Sequence, residues 1–359
     1  MNPLKDIRVL DLSRLLPGPY MTLVLASLGA EVIKIEEPEI GDYMRHIPPF
    51  AGGKGTVFQA LNRGKKSVVL DLKSENGRGK FMSLALKCDI IVEGFRPGVM
   101  KRLGLGFEEL HKLNPALIYC AITGYGQDSP LAGHPGHDLN YCAVSGLLSV
   151  NENRPIPFQI ADIAGGSMWG CIAVLSALME RNRSGRGMFL DVSMTDGVLP
   201  FLMPHLAEFS AQSFAGGRPL NMLSGSEWYY TAYETSDGGY FSIANLEPHF
   251  LERFLDSVKP LIGDSQEDPG KRLCAMFRTK SAAEWESFFK DMQVCCEPVL
   301  DLDDLPSSSH HKARGNFIHI PIAGEKPLLL PRIPLPIPDE KDLSPAPELG
   351  QHNKEFFNE

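Results

Sequence analysis

The chain has 359 residues, 43% of them hydrophobic and 22% charged, with a formal net charge of −9. That length exceeds one minimal domain and implies a large domain with a smaller one, or two of similar size. The acidic balance excludes wholesale nucleic-acid binding, which needs a basic face, although a local basic cluster can still hold a small anion.

The N-terminus, MNPLKDIRVLDLSR, is charged within five residues and lacks a long apolar region, so no secretory signal is expected. IRVLDLS (Ile7–Ser13) then alternates toward a buried strand, LLPGP punctuates, and YMTLVLASLGA predicts a helix ending near Gly29. EVIKIEEP (Glu31–Pro38) reads as a second short strand. SVVLDLK (Ser67–Lys73), the helix ENGRGKFMSLALKC and DIIVEGF (Asp89–Phe95) repeat the unit, and ALIYCAITGYG (Ala116–Gly126) adds another strand. Strands alternating with helices imply βαβ units and a mainly parallel sheet. Ligands of such sheets sit at the carboxyl ends of strands, which points to the loops after Ser13, Pro38, Phe95 and Gly124.

GGSMWGCIAVLSALMER (Gly165–Arg181) reads as one long buried helix, and SGRG turns into MFLDVSMTDG, a strand and another helix. EWYYTAYETSDGGYFSIA (Glu227–Ala244) predicts a hairpin around Asp237-Gly238-Gly239, followed by helices over His249–Leu261 and Ser281–Met292. From Pro306 the chain is proline-rich and reads as a long connection crossing back over the first domain. The expected organisation is a large α/β domain over 1–200 completed by 305–359, a linker over 201–224, and a small domain over 225–304. No uninterrupted apolar stretch reaches about 18 residues, so no membrane span is expected. The cysteines at 88, 120, 142, 171, 274, 295 and 296 form no CxxC pair, as in reduced thiols of a cytoplasmic protein.

The segment AGHPGHDLNY (Ala132–Tyr141) carries two histidines three residues apart in a proline- and glycine-rich loop. A metal reading lacks a Cys, Asp or Glu group of zinc-site spacing beside His134 and His137. A dinucleotide reading lacks GxGxxG after the first strand, where the turn is RLLPGPY. Acid–base chemistry remains. Histidine is the side chain whose unperturbed pKa lies near neutrality, so His137 is either an acid–base group or a hydrogen-bonded loop histidine, and QIADIAGGSMWG places Asp162 before two glycines and a long helix. Asp162 is then either a catalytic carboxylate or a plain N-cap, favoured in its charged form by the helix end. Gly165 and Gly166 would let backbone amides approach a ligand. Basic residues recur near predicted strand ends, in RGKK (Arg63–Lys66), at Lys73, and at Arg96 and Arg102, which suits a multiply phosphorylated ligand.

From VLDLSRLLPGPYMTLVLASLGAEVIKIEEP through NRGKKSVVLDLK, VEGFRPGVMKRLGLG, LIYCAITGYGQDSP, GHDLNY and ADIAGGSMWG to NMLSGSEWYYTAYETSDGGYFSIANLEPHF, the chain resembles the family III CoA-transferases and α-methylacyl-CoA racemases. The resemblance implies a large Rossmann-like α/β domain, a small α/β domain, long linkers, and a homodimer whose two chains interlock like links. It also implies an acyl-CoA substrate in which CoA belongs to the substrate, with no separate cofactor. In the transferases an aspartate attacks the acyl-CoA thioester beneath a loop of GGGGQ type. In the racemases a histidine of GHDINY and an aspartate of ADFAGG exchange the α-proton of a 2-methylacyl-CoA, with a glutamate of IEPQF supporting the histidine. By this resemblance GHDLNY gives His137 the histidine role and leaves His134 a bystander, ADIAGG gives Asp162 the aspartate role, and LEPHF gives Glu247 the supporting role. No GGGGQ occurs, which favours the racemase side.

Resemblance and charge placement together nominate Arg63, Lys65, Lys73, Arg96, Gly124, Tyr125, Gly136, Asp138 and Tyr141 for CoA binding. Two places depart from the racemase pattern: Glu37 of IEEP stands where racemases commonly carry arginine, and SGSEW, with Glu227, replaces DGGAP.

Overall fold

The computed structural model describes residues 2–213, 223–263, 266–322, 324–335 and 344–357. Asn221 and Met222, part of the NMLSGSEWYY motif, lie outside them. The chain divides into two compact units, Met1–Met203 with Gly315–Glu359, and Pro204–Arg314.

The first unit is built on six strands: β1 (Arg8–Asp11), β2 (Glu31–Glu36), β3 (Lys66–Val69), β4 (Ile90–Glu93), β5 (Ile118–Thr123) and β6 (Phe189–Ser193). They pair in the order β3-β2-β1-β4-β5-β6, and every pairing is parallel. This is the doubly wound order with its reversal between β1 and β4, the switch point where such sheets hold ligands. Alternation supplies both cores. Val9, Ile90, Ile118 and Ile122 pack into one cluster, while Leu10, Ile33, Ile91 and Tyr119 pack into the cluster on the other face. A parallel sheet covered on both faces needs near-continuous apolar strands, and Ile118–Thr123 is buried at every position.

Helix α1 (Pro17–Ser27) begins with proline at its first position and follows β1. Helices α2 (Glu75–Ala85) and α3 (Asp138–Val144) precede a distinctive segment. The long helix expected from Gly165 starts earlier: Ala161–Met168 is π-helical and runs straight into α4 (Trp169–Ser184). Ala161–Ser184 is also long and apolar enough to cross a bilayer, which the apolar-run count did not anticipate. Its Ala161, Cys171, Val174, Ala177 and Leu178 belong to the core. Helix α5 (Met194–Val198) follows β6. Where a linker was expected, Met203–Ser213 is helical.

The C-terminal return has a specific task. Strand β3 is an edge of the sheet, and its Ser67 N–H donates to His352 Nδ1 (3.0 Å) while its Val69 N–H donates to Asn353 Oδ1 (2.8 Å). The His352 N–H donates back to the Ser67 carbonyl. The tail thus occupies an edge that would otherwise offer unpaired backbone groups to another chain.

In the second unit, β7 (Tyr230–Glu234) and β8 (Tyr240–Ala244) form the expected hairpin, and β9 (Cys296–Pro298) adds a third antiparallel strand. Helices α6 (Pro248–Ile262), α7 (Pro269–Phe277) and α8 (Ala282–Phe289) pack on it through an aromatic core of Phe241, Phe254, Phe277, Trp285 and Phe289. The sequence reading missed α7, although Asp268 caps it and Pro269 opens it.

Candidate active site

The loops after β1, β4 and β5 converge on a cavity of about 530 Å³ within the first unit. His137, Asp162 and Arg96 line it. So do Gly124, Tyr125, Gly136 and Tyr141, and His134 lies there as well rather than apart from it. The nominated residues that line the cavity come from four separate stretches of chain, and the turn after β1 adds residues that were not nominated.

His137 is the residue immediately before α3; its backbone N–H donates to Asn140 Oδ1 (3.1 Å), which fixes the entry to the helix. Its ring remains exposed to the cavity. Tyr141, one turn on, donates from its hydroxyl to the Gly136 carbonyl. Gly124 and Gly136 both lie against this ring, and a β-carbon on either would sit 2.3 or 2.7 Å from Tyr141 Cε1. These glycines are required by the approach of Tyr141.

Asp162 is the second residue of the π-helical segment, inside its first turn and not the residue that caps it. The residue before the segment is Ile160, which makes no side-chain cap, so the N-cap reading of Asp162 fails. π-Helical turns concentrate at functional sites because the widened turn redirects side chains. Burial pushes the Asp162 carboxyl up to about 7, and the Asp138 carboxylate adds to the shift. The positive end of a helix was expected to favour the charged form; burial outweighs it. The glycine reading is corrected too. A β-carbon on Gly165 would sit 2.4 Å from the Met194 carbonyl, and one on Gly166 would sit 2.9 Å from Met194 Cγ. They let the segment pack on α5, and neither glycine lines the cavity.

Asp138, nominated for CoA, does not line the cavity; it is 7% exposed and works from behind the wall. Its Oδ1 accepts the Asp162 N–H (2.9 Å) and its Oδ2 the Cys142 thiol (3.4 Å). It is a positioning residue for Asp162.

Arg63 and Lys65 are also corrected. Lys65 is 2% exposed, and its ammonium donates to Asp11 Oδ2 (3.1 Å), Thr22 Oγ1 (2.7 Å), Asn62 Oδ1 (3.0 Å) and the Pro19 carbonyl (3.0 Å). Burial brings it down to about 8, against the pull of Asp11. Arg63 is buried and donates to the Ala60 carbonyl. Lys73 is exposed on a neighbouring cavity of about 430 Å³ at the ends of β1, β2 and β3. Glu247 belongs to the second unit, exposed and immediately before α6. Among the described residues no group of three or more His, Cys, Asp or Glu is placed to hold a metal.

The residue missed is Arg14, which lines both cavities. The available signal was its position, directly after the predicted strand Ile7–Ser13.

The model of CoA-transferase family III matches residues 4–353. The chain belongs to CoA-transferase family III. Among family III relatives, it is 33% identical to alpha-methylacyl-CoA racemase from Homo sapiens over 374 residues, covering 99% of this chain and 93% of that protein. It is 31% identical to succinyl-CoA:glutarate CoA-transferase from Mus musculus, over 100% of this chain and 86% of that one. With acetyl-CoA:oxalate CoA-transferase from Acetobacter aceti the identity is 42%, over 60% of this chain and 57% of the relative. The solved structure of a CAIB/BAIF family protein from Brucella suis superposes with a TM-score of 0.83 at 28% identity, covering 98% of each chain. Both chemistries thus occur among family III relatives of comparable similarity, and the choice rests on the site.

Proposed function

We propose that this chain is an acyl-CoA racemase or epimerase that exchanges the α-proton of a 2-methylacyl-CoA thioester. The observation that carries this reading is the pairing, in one cavity, of His137 with an Asp162 carboxyl held at about 7. An acid of that strength takes and gives protons near neutral pH, whereas a nucleophilic carboxylate is served by staying ionised. One of the two groups removes the α-proton, the thioester becomes an enolate, and the other group returns a proton to the opposite face. The thioester carbonyl supplies the electron sink, so the reaction as proposed requires no metal, flavin or nicotinamide. Of the CoA set, this reading retains Arg96, Gly124, Tyr125, Gly136 and Tyr141, which line the first cavity, and Lys73, which lines the neighbouring one. Glu247 supports the histidine side, and the working form is a homodimer, in keeping with the resemblance.

CoA transfer, with Asp162 as the attacking nucleophile, is the second reading. The GDYMR sequence after Pro38, closer to the transferase style, and the 42% identity to the oxalate transferase favour it. One incubation separates the two. With a single 2-methylacyl-CoA in deuterium oxide and no second acid, a racemase deuterates the α-carbon and inverts it. Absence of exchange, with CoA moving to an added carboxylate, would establish the transferase.

A further inference from the structure

Arg14 stands between the two cavities and, with Ser13 and Phe95, lines both. Its guanidinium lies 4.8 Å from the centre of the Tyr43 ring and 5.4 Å from that of Phe95. Nη1 donates to the Tyr43 hydroxyl (3.0 Å) and, at 3.4 Å, to Glu37 Oε1. The Arg14 and Glu37 side chains are 35% and 43% exposed, so a ligand can reach the pair.

The turn that aims Arg14 is held from beneath. Leu15 adopts φ 66°, a left-handed conformation uncommon for leucine. Its N–H donates to Asp42 Oδ1 (3.1 Å). The other Asp42 oxygen pairs with the fully buried Lys34 ammonium (2.9 Å), which also donates to the Ser13 carbonyl (2.8 Å). A strained turn persists only where its surroundings over-determine it, and such turns cluster at ligand sites. Here a buried ion pair fixes the backbone on both sides of one arginine. A planar guanidinium, stacked on aromatic rings and fixed at its base, suits phosphate oxygens better than a flexible ammonium would.

Resting on the acyl-CoA reading above, we propose that Arg14 receives a phosphate of a CoA ester that spans the two cavities, and that Glu37 is an intramolecular competitor for the same guanidinium. The incoming phosphate displaces the long, half-exposed carboxylate contact, so Glu37 sets how tightly the CoA moiety is held. Glu37 then lowers affinity through its hold on Arg14.

The test is calorimetric titration of CoA into the full chain, for wild type, Arg14→Gln, Glu37→Gln and the double variant. Arg14→Gln is expected to weaken CoA about tenfold or more, the loss of one charge-assisted phosphate contact. Glu37→Gln is expected to tighten it severalfold, and the double variant to match Arg14→Gln alone, because Glu37 acts only through Arg14. Equal tightening by Glu37→Gln in both backgrounds would overturn the competition, as would no tightening at all. Wild-type protein that binds CoA while Arg14→Gln binds it equally well would remove Arg14 from the site and leave the acyl-CoA reading standing. Wild-type protein that does not bind CoA would overturn both. Glu37→Gln, at a half-exposed position, carries the test even if Arg14→Gln fails to fold.

Discussion

Two carboxylates of the same unit, the buried Asp11 and the half-buried Asp162, meet opposite fates. Asp11, at the end of β1, is fully enclosed, and burial alone would raise it. The Lys34 and Lys65 ammoniums, with hydrogen bonds from Ser13 and Thr22, hold it well below the usual carboxylate range. Its neighbours extend the pattern: Glu36 is clasped by Arg45 (2.7 Å) and accepts from Ser67 (2.6 Å), and Asp42 pairs with Lys34. Among the described residues no such cation pairs with Asp162; the charge that acts on it is a second carboxylate, Asp138. A paired buried charge is scaffold, locked in one ionisation state. A half-buried acid facing a like charge shares its proton near neutrality and is available for chemistry.

The largest effect that would break this contrast is catalytic. Asp162→Asn keeps size and removes the base, and should lower proton exchange by at least about 10³-fold, as His137→Ala should; CoA transfer would lose comparably from the Asp162 change alone. Turnover nearly intact in Asp162→Asn would refute both chemistries. Next comes the scaffold. Lys65→Met removes one of the two cations beside Asp11 and should destabilise folding by about 3–5 kcal/mol, read by urea unfolding. A change below about 1 kcal/mol would mean that the network is not cooperative.

Asp162→Asn should also stabilise the fold, the opposite sign. A carboxyl raised in the folded state binds its proton more tightly there, so its contribution is full below the unfolded value near 4 and is lost as pH rises to about 7. The gain from Asp162→Asn should therefore grow between those values, reach about 1–3 kcal/mol and level off above. A gain that shrinks with rising pH would contradict the assignment. Smallest of all is the exposed Arg183–Glu180 pair, with side chains 81% and 42% exposed. Arg183→Ala should shift stability by less than about 0.5 kcal/mol, which calibrates the buried effects.

The same contrast explains what was legible in the sequence. Apolar runs with short punctuating loops place β1, β2, β4 and β5 because a doubly covered parallel strand has little compositional freedom. His137 and Asp162 were readable because each lies in a short glycine-bearing motif whose local chain positions it. The ionic network was not. EVIKIEEP presents four charged residues in and around β2 that look solvent-facing, yet Lys34 and Glu36 are buried by partners at Asp42 and Arg45, brought in by the fold. RGKK misled for the same reason: Lys65 is paired with Asp11, 54 residues earlier. Charge in a sequence carries no label for burial. The π-helical turn was equally hidden, since ADIAGG has the composition of an ordinary helix start.

The central claim is that Asp162 shares its proton near neutrality, and carbon-13 NMR of γ-labelled aspartate tests it directly. One resonance, absent from Asp162→Asn, should titrate with a midpoint of about 7, while Asp11 shows no transition down to the lowest pH at which the fold survives. A midpoint for Asp162 near 4 would contradict the account.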